Sequence, residues 1–188
     1  APVSRPSPPT SNIPTLSFAE FAATFHREAA AKRIPVGAMI ELTYACNFDC
    51  VHCYVVQPSA RGELDTSDVL RVLDELKAAG TLFLTFTGGE ALRRPDFEEI
   101  WIRAKTLGFI TNLFTNAALV KDKTLRLFER YPPNKVEVTL YGANEATYQA
   151  VTQRKNMHAL VLANVDALLA LGISVHLKAV GLAENGDD

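Results

Sequence analysis

From Ile34 onward, the apolar positions of the chain switch repeatedly between two spacings. Short runs rich in Val, Ile, Phe and Thr have strand character. Between them lie segments whose apolar residues recur every three to four positions, the spacing of one helix face. "VGAMIELTY" predicts a strand, and "DTSDVLRVLDELKAAG" predicts a helix with Val69, Leu73 and Leu76 on one side and Gly80 as its stop. "TLFLTFT" predicts the second strand. "PDFEEIWIRAKTLG" predicts the second helix, with Pro95 in its first turn and Gly108 at its C-terminal cap. Strand "FITNLFT", helix "KDKTLRLFERY", strand "KVEVTLY", helical "EATYQAV" and "MHALVLANVDALLALG", and strand "ISVHLKAV" complete the series. Strands separated by helices imply right-handed crossovers and a parallel sheet, so the expected class is α/β, of barrel or doubly wound type.

The region before Ile34 reads differently. "APVSRPSPPTSNIP" holds five prolines, which remove backbone donors and favour extended, poorly packed chain; residues 1–15 are therefore expected to be a flexible arm. Ser17 and Glu20 have capping-box spacing, and Phe18, Phe21 and Phe25 fall on one face, predicting an N-terminal helix within 16–33 that packs against the main domain. Residues 34–188 form that main domain. No 20 to 50 residue repeat interrupts it.

Composition narrows the setting. With 48% hydrophobic and 21% charged residues and a net charge of −2, the chain reads as globular. Its 19 basic and 21 acidic residues are interspersed, with no run that points to nucleic acid or to a membrane surface. No apolar run approaches the roughly 20 residues that span a bilayer, and no signal-peptide pattern opens the chain, so a cytoplasmic protein is expected.

All three cysteines, Cys46, Cys50 and Cys53, lie in "TYACNFDCVHCYV". An odd, clustered set argues against a disulfide framework. This loop follows the first strand, "GGE" (Gly88, Gly89, Glu90) follows the second, Thr115 and Asn116 close the third, and "TLYG" from Thr139 closes the fourth. All sit at carboxyl ends of parallel strands, where loops converge on a ligand, so one shared site is expected. Thiolates are the usual ligands of iron–sulfur clusters, and three of them leave one iron of a cubane open. The alternatives are buried, unligated thiols, which poorly explain three cysteines in one loop, and zinc in a Cys3His site that uses His52. His52 stands directly beside Cys53, a cramped arrangement for that use, and no second knuckle is present.

"CNFDCVHCY", with Cys46-x3-Cys50-x2-Cys53, resembles the cluster motif of the radical S-adenosylmethionine (SAM) superfamily, and "FTGGEALRRPDF" resembles its GGE motif. The resemblance covers about residues 36 to 185. "LFTNAALV" and "VEVTLYGANEATYQAVT" are most similar to the peptide-modifying branch, which often carries a C-terminal SPASM domain. It implies a partial (β/α)6 TIM-like barrel, a [4Fe–4S] cluster on Cys46, Cys50 and Cys53, and SAM chelated to the open iron. It also implies reductive cleavage of SAM to a 5′-deoxyadenosyl radical, with an electron donor such as flavodoxin or ferredoxin. Gly88 and Gly89 would let backbone approach the methionine end of SAM, and Glu90 would face its ammonium. Thr115, Asn116 and Thr139 would help to hold ribose and carboxylate, His52 and Tyr54 would lie near adenine through backbone groups, and Arg154 would contact a carboxylate, although "TQRKN" departs from the glycine-rich pattern there. The bland readings are a glycine turn with a solvated Glu90, and strand-end turn chemistry for the threonines and Asn116.

His26, His158 and His176 have no metal spacing and read as structural; Trp101 reads as core; adjacent Glu98 and Glu99 point apart on a helix and make no acid/base pair. Five strands are counted against the family's six, and no cysteines remain for auxiliary clusters, which leads to the expectation of a fragment of a longer enzyme. Three functions stay open: maturation of a ribosomally made precursor peptide, radical SAM chemistry on a small molecule or cofactor precursor, and a non-catalytic zinc module.

Overall fold

Each β-rich segment contains a strand. In a computed structural model that describes residues 16–55, 60 and 62–186, these are β1 (Gly37–Glu41), β2 (Phe83–Thr87), β3 (Ile110–Thr115), β4 (Lys135–Thr139) and β5 (Val175–Lys178). The expected proline-rich arm lies outside the described residues. The chain divides between Ile34 and Pro35 into two units.

The first unit contains α1 (Phe18–Ala31). The capping box predicted from Ser17 and Glu20 is present: the Glu20 N–H donates to the Ser17 hydroxyl, and the Ser17 N–H donates back to the Glu20 carboxylate at 3.0 Å.

In the second unit the five strands pair in parallel in the order β1-β2-β3-β4-β5, with α2 (Thr66–Ala78), α3 (Phe97–Thr106), α4 (Asp122–Arg130), α5 (Glu145–Thr152) and α6 (His158–Ala170) in the crossovers. Consecutive right-handed crossovers in unbroken strand order put every helix on one side, the winding of a TIM-like barrel. One core results. Leu84, Phe86, Leu113, Val136 and Val138 of the strands meet Leu73, Trp101, Phe128 and Leu168 of the helices, all essentially without exposure. Phe86, Phe97, Trp101 and Phe128 form its aromatic centre, and the Trp101 indole N–H donates to the Tyr131 carbonyl at 2.9 Å, so the core reading of Trp101 holds with its one polar atom satisfied. On the opposite face of the sheet stand polar residues, Thr85, Asn112 and Glu137, joined in part by an Asn112-to-Thr85 hydrogen bond of 3.3 Å.

Two of the boundary shifts have a clear local reason. The first strand ends at Glu41 rather than Tyr44, because the Glu63 carboxylate takes the Thr43 hydroxyl (2.8 Å) and the Tyr44 N–H (2.7 Å) and draws the chain off the ladder. Pro95 stands outside α3 rather than in its first turn. The N-cap is Asp96, whose carboxylate makes no cap bond because Arg94 and Thr66 occupy it. Gly80 and Gly108 follow the last turns of α2 and α3 with φ of 93° and 84°, as helix stops require.

Candidate functional site

Three loops at the carboxyl ends of β1, β2 and β3 are bound to one another by backbone. The Gly89 N–H donates to the Thr43 carbonyl at 2.7 Å and the Glu90 N–H to the Ala45 carbonyl at 3.0 Å, so the glycine turn is zipped to the root of the cysteine loop. This explains the glycines. A Cβ on Gly88 would stand 2.2 Å from the Thr43 oxygen, and one on Gly89 would stand 2.6 Å from the Tyr44 oxygen. Their freedom from side chains serves the approach of the cysteine loop itself, and both also line the cavity described below.

The cysteine loop is anchored at several further points. The Asp49 and Val51 N–H groups donate to the Thr152 and Val151 carbonyls at the end of α5 (3.2 and 3.0 Å). Arg93 donates to the Cys46 carbonyl and Arg154 to the Asn47 carbonyl, each at 2.9 Å. Arg154 is thus a clamp on the loop backbone and is not among the residues that wall the cavity. Asn47 and Asn116 exchange amide hydrogen bonds (2.9 Å for the shorter), which places the Asn116 amide nitrogen 3.9 Å from the Cys46 sulfur; the Phe48 N–H lies 3.4 Å from that sulfur.

Cys46, Cys50 and Cys53 open onto one cavity of about 220 Å3, walled also by Gly88, Gly89, Thr115, Asn116 and Thr139 and by the rings of His52, Phe114 and Tyr141. Of the expected site residues, the structure therefore gathers all three thiols, both glycines, Thr115, Asn116, Thr139, His52 and Tyr54 at one place. His52 packs edge-on against Tyr141 with centroids 4.6 Å apart, and its Nδ1 is buried without a hydrogen-bond partner among the described residues. Tyr54 is largely exposed. Its hydroxyl donates to Glu41 at 2.5 Å, and that bond is the main reason its phenol is pushed up to about 12.

Glu90 departs from expectation. Its side chain is fully buried and does not reach the cavity; it accepts from the Thr115 hydroxyl (2.8 Å), the Asn116 N–H (2.8 Å) and the Leu92 N–H (3.1 Å). A side chain that leaves a strand end behind two closely packed glycines is turned inward, where it ties the β2 loop to the end of β3. Burial outweighs those donors and raises its carboxyl above the ordinary 4.5. The Thr115 hydroxyl is committed to the same carboxylate, so Thr115 presents the cavity with a wall more than a free donor.

The donor set fits an iron–sulfur cluster. Burial raises the Cys46 thiol and pushes Cys50 up to about 12, with the neighbouring thiols adding to the effect. Thiolates in such a place require an adjacent positive centre, which iron supplies. A cluster takes each thiolate on a different iron and needs only that the thiols face one space, as these three do. Sequence reasoning missed Phe48, Phe114 and Tyr141. Tyr141 follows Thr139 within the noted strand-end "TLYG" and was open to discovery; Phe114 carried no chemical signal, and its role depends on which face of β3 turns inward.

Residues 40–188 match the radical SAM superfamily. Among curated proteins, the PqqA peptide cyclase of Ruegeria pomeroyi is 31% identical over 82% of this chain and 42% of its own length. The AdoMet-dependent heme synthase of Methanosarcina barkeri is 31% identical over 68% of this chain and 37% of its own. Streptococcus suis SuiB superposes with a TM-score of 0.71 at 19% identity, covering 93% of this chain and 41% of that one. The chain thus spans about two fifths of the length of these relatives, and its five-stranded sheet matches part of a TIM-like barrel. No helix among the described residues is long and apolar enough to cross a membrane. A match that runs through most of the chain, over loops whose thiols and glycines meet at one cavity, makes this protein a member of the radical SAM superfamily.

Proposed function

We propose that Cys46, Cys50 and Cys53 would hold a [4Fe–4S] cluster, that Gly88 and Gly89 would receive SAM in the same cavity, and that the chain belongs to an enzyme which modifies a ribosomally made peptide. When bound, the pair would supply reductive cleavage of SAM to a 5′-deoxyadenosyl radical, able to remove hydrogen from a substrate. The rest is the work of this chain's own residues. Arg93, Arg154 and the α5 carbonyls hold the cysteine loop in place. Glu90 locks the glycine turn to Asn116, and Asn116 brings an N–H donor beside the Cys46 sulfur, a contact that tunes the electron affinity of such clusters. Thr139, Phe114, His52 and Tyr141 wall the same cavity, Thr139 and Tyr141 hydrogen-bond through their side chains, and adenosine or substrate would pack against them.

The observation that carries this reading is the shared cavity of the three thiols and the two glycines. The peptide substrate is supported by the PqqA peptide cyclase relatives and by the likeness to SuiB, which is also solved bound to its precursor peptide SuiA. The heme synthase relative supports a second reading, a small-molecule substrate on the same cluster. A one-electron donor of flavodoxin or ferredoxin type belongs to the proposal, as does a reducing, cytoplasmic setting, the latter supported by the clustered free thiols.

Anaerobic reconstitution tests it. About four irons and four sulfides per chain are expected, and Ala at Cys46, Cys50 or Cys53 should abolish them. Zinc without sulfide would instead support the non-catalytic module, and hydrogen abstraction from a precursor peptide, followed by mass spectrometry, separates the peptide reading from the small-molecule one.

A further inference from the structure

The sheet face opposite the helices carries more positive charge than its packing needs. Glu137 on β4 has a side chain only 5% exposed, and its carboxylate meets two ammonium groups: Lys135, two residues earlier on the same strand at 2.5 Å, and Lys178 from β5. A buried carboxylate must be paired, and one lysine pairs it. The second leaves two cations against one anion, a surplus of +1 at this place. Lys178 is the reachable member, with 49% of its side chain exposed. Its ammonium lies 4.0 Å from the centroid of the Phe114 ring, and Phe114 is a wall of the cavity that holds the thiols. Across the β4–β5 ladder Lys178 is in register with Thr139, another wall of that cavity. The ammonium therefore stands at the cavity's margin, braced by a carboxylate and an aromatic face.

Among the other described strand residues of this face, the only acidic side chain is Glu41. His176 is in register with Glu137 and exposed. β3 contributes neutral Asn112 and Phe114, and Glu41, across the sheet on β1, already accepts the Tyr54 hydroxyl.

We propose that Lys178, held by Glu137 and backed by Lys135, binds a carboxylate of a molecule that enters the cavity. Lys178 meets Glu137 as an ion pair, and an ammonium has three donors to offer a second anion. Two sources could bring the carboxylate, an acidic side chain of the substrate or the carboxylate of SAM. The inference rests on the reading of this cavity as the cofactor and substrate site, and its test is arranged so that the two can fail separately.

The probes are N-acetylglutamate amide, its glutamine counterpart and SAM, titrated into the full chain under anaerobic conditions, with ligand-observed NMR for the amides and equilibrium dialysis for SAM. For a substrate carboxylate, the glutamate probe should bind the unaltered protein at least about tenfold more tightly than the glutamine probe. Lys178→Gln should remove that preference, Lys178→Arg should restore it, and SAM affinity should stay within about twofold throughout. A loss of SAM affinity of about tenfold in Lys178→Gln alone would support the carboxylate site and assign it to SAM. Glutamate and glutamine probes binding alike to the unaltered protein, together with unchanged SAM affinity in Lys178→Gln, would overturn the proposal. The first comparison needs no variant, so a folding defect cannot mask it. The amide titrations are repeated on cluster-free chain, so a failure of cluster loading would strike the functional reading and leave this one standing or falling on its own data.

Discussion

Gly88→Ala measures how tightly the cysteine loop depends on the glycine turn. Gly88 has φ of 142°, a region almost closed to other residues, and forcing alanine there costs about 1–3 kcal/mol. The new methyl would also stand 2.2 Å from the Thr43 oxygen, which is backbone and cannot rotate aside. Relief requires the two loops to part, and that breaks the Gly89-to-Thr43 and Glu90-to-Ala45 hydrogen bonds, about 0.5–1.5 kcal/mol each. The total is about 2–6 kcal/mol, which for a chain of this size lowers Tm by about 4–24 °C. Two other glycines separate the contributions. Gly172→Ala has φ of 74° with nothing within 4 Å, so only backbone strain of about 1–2 kcal/mol is expected. Gly181→Ala has neither strain nor neighbours within 4 Å and should change stability by less than about 0.5 kcal/mol. Thermal melts of cluster-free chain, followed by circular dichroism, give the ranking. If Gly88→Ala proves no more destabilising than Gly172→Ala, the zipped-loop account is wrong.

Glu90→Gln should change the pH dependence of stability. The raised carboxyl of Glu90 means that the folded chain holds its proton more tightly than the unfolded chain, so its contribution is fully present below about 4.5 and is lost as pH climbs toward the folded-state value. Urea melts from pH 4 to 8 should therefore show the unaltered protein losing ground to the variant as pH rises, and a constant difference would contradict this. Arg154→Ala should leave SAM affinity unchanged while iron is lost faster to a chelator, since Arg154 grips the Asn47 carbonyl; weaker SAM binding with normal iron retention would return it to the cavity.

The sequence by itself determined the order of elements, the parallel sheet and the address of the site. Those follow from local physics: apolar spacing distinguishes strand from helix, glycines stop helices, and a parallel sheet places the loops that follow its strands together at one end. The three thiols needed no fold to be noticed, since eight residues contain them all. Only the tertiary structure decided where long side chains point. Glu90, next to two glycines that line the cavity, turns under the loop because Thr115, Asn116 and Leu92 present three donors from residues up to 26 positions away. Arg154, 107 residues from Asn47, finds its carbonyl only once α5 has packed against the cysteine loop. Lys178, unremarked in a strand of ordinary composition, becomes distinctive because register sets it beside Thr139 and its ammonium meets Glu137 and the Phe114 ring. Periodicity records which face a residue occupies; its partners come from other strands and loops, and no window of neighbouring sequence holds both sides of those contacts.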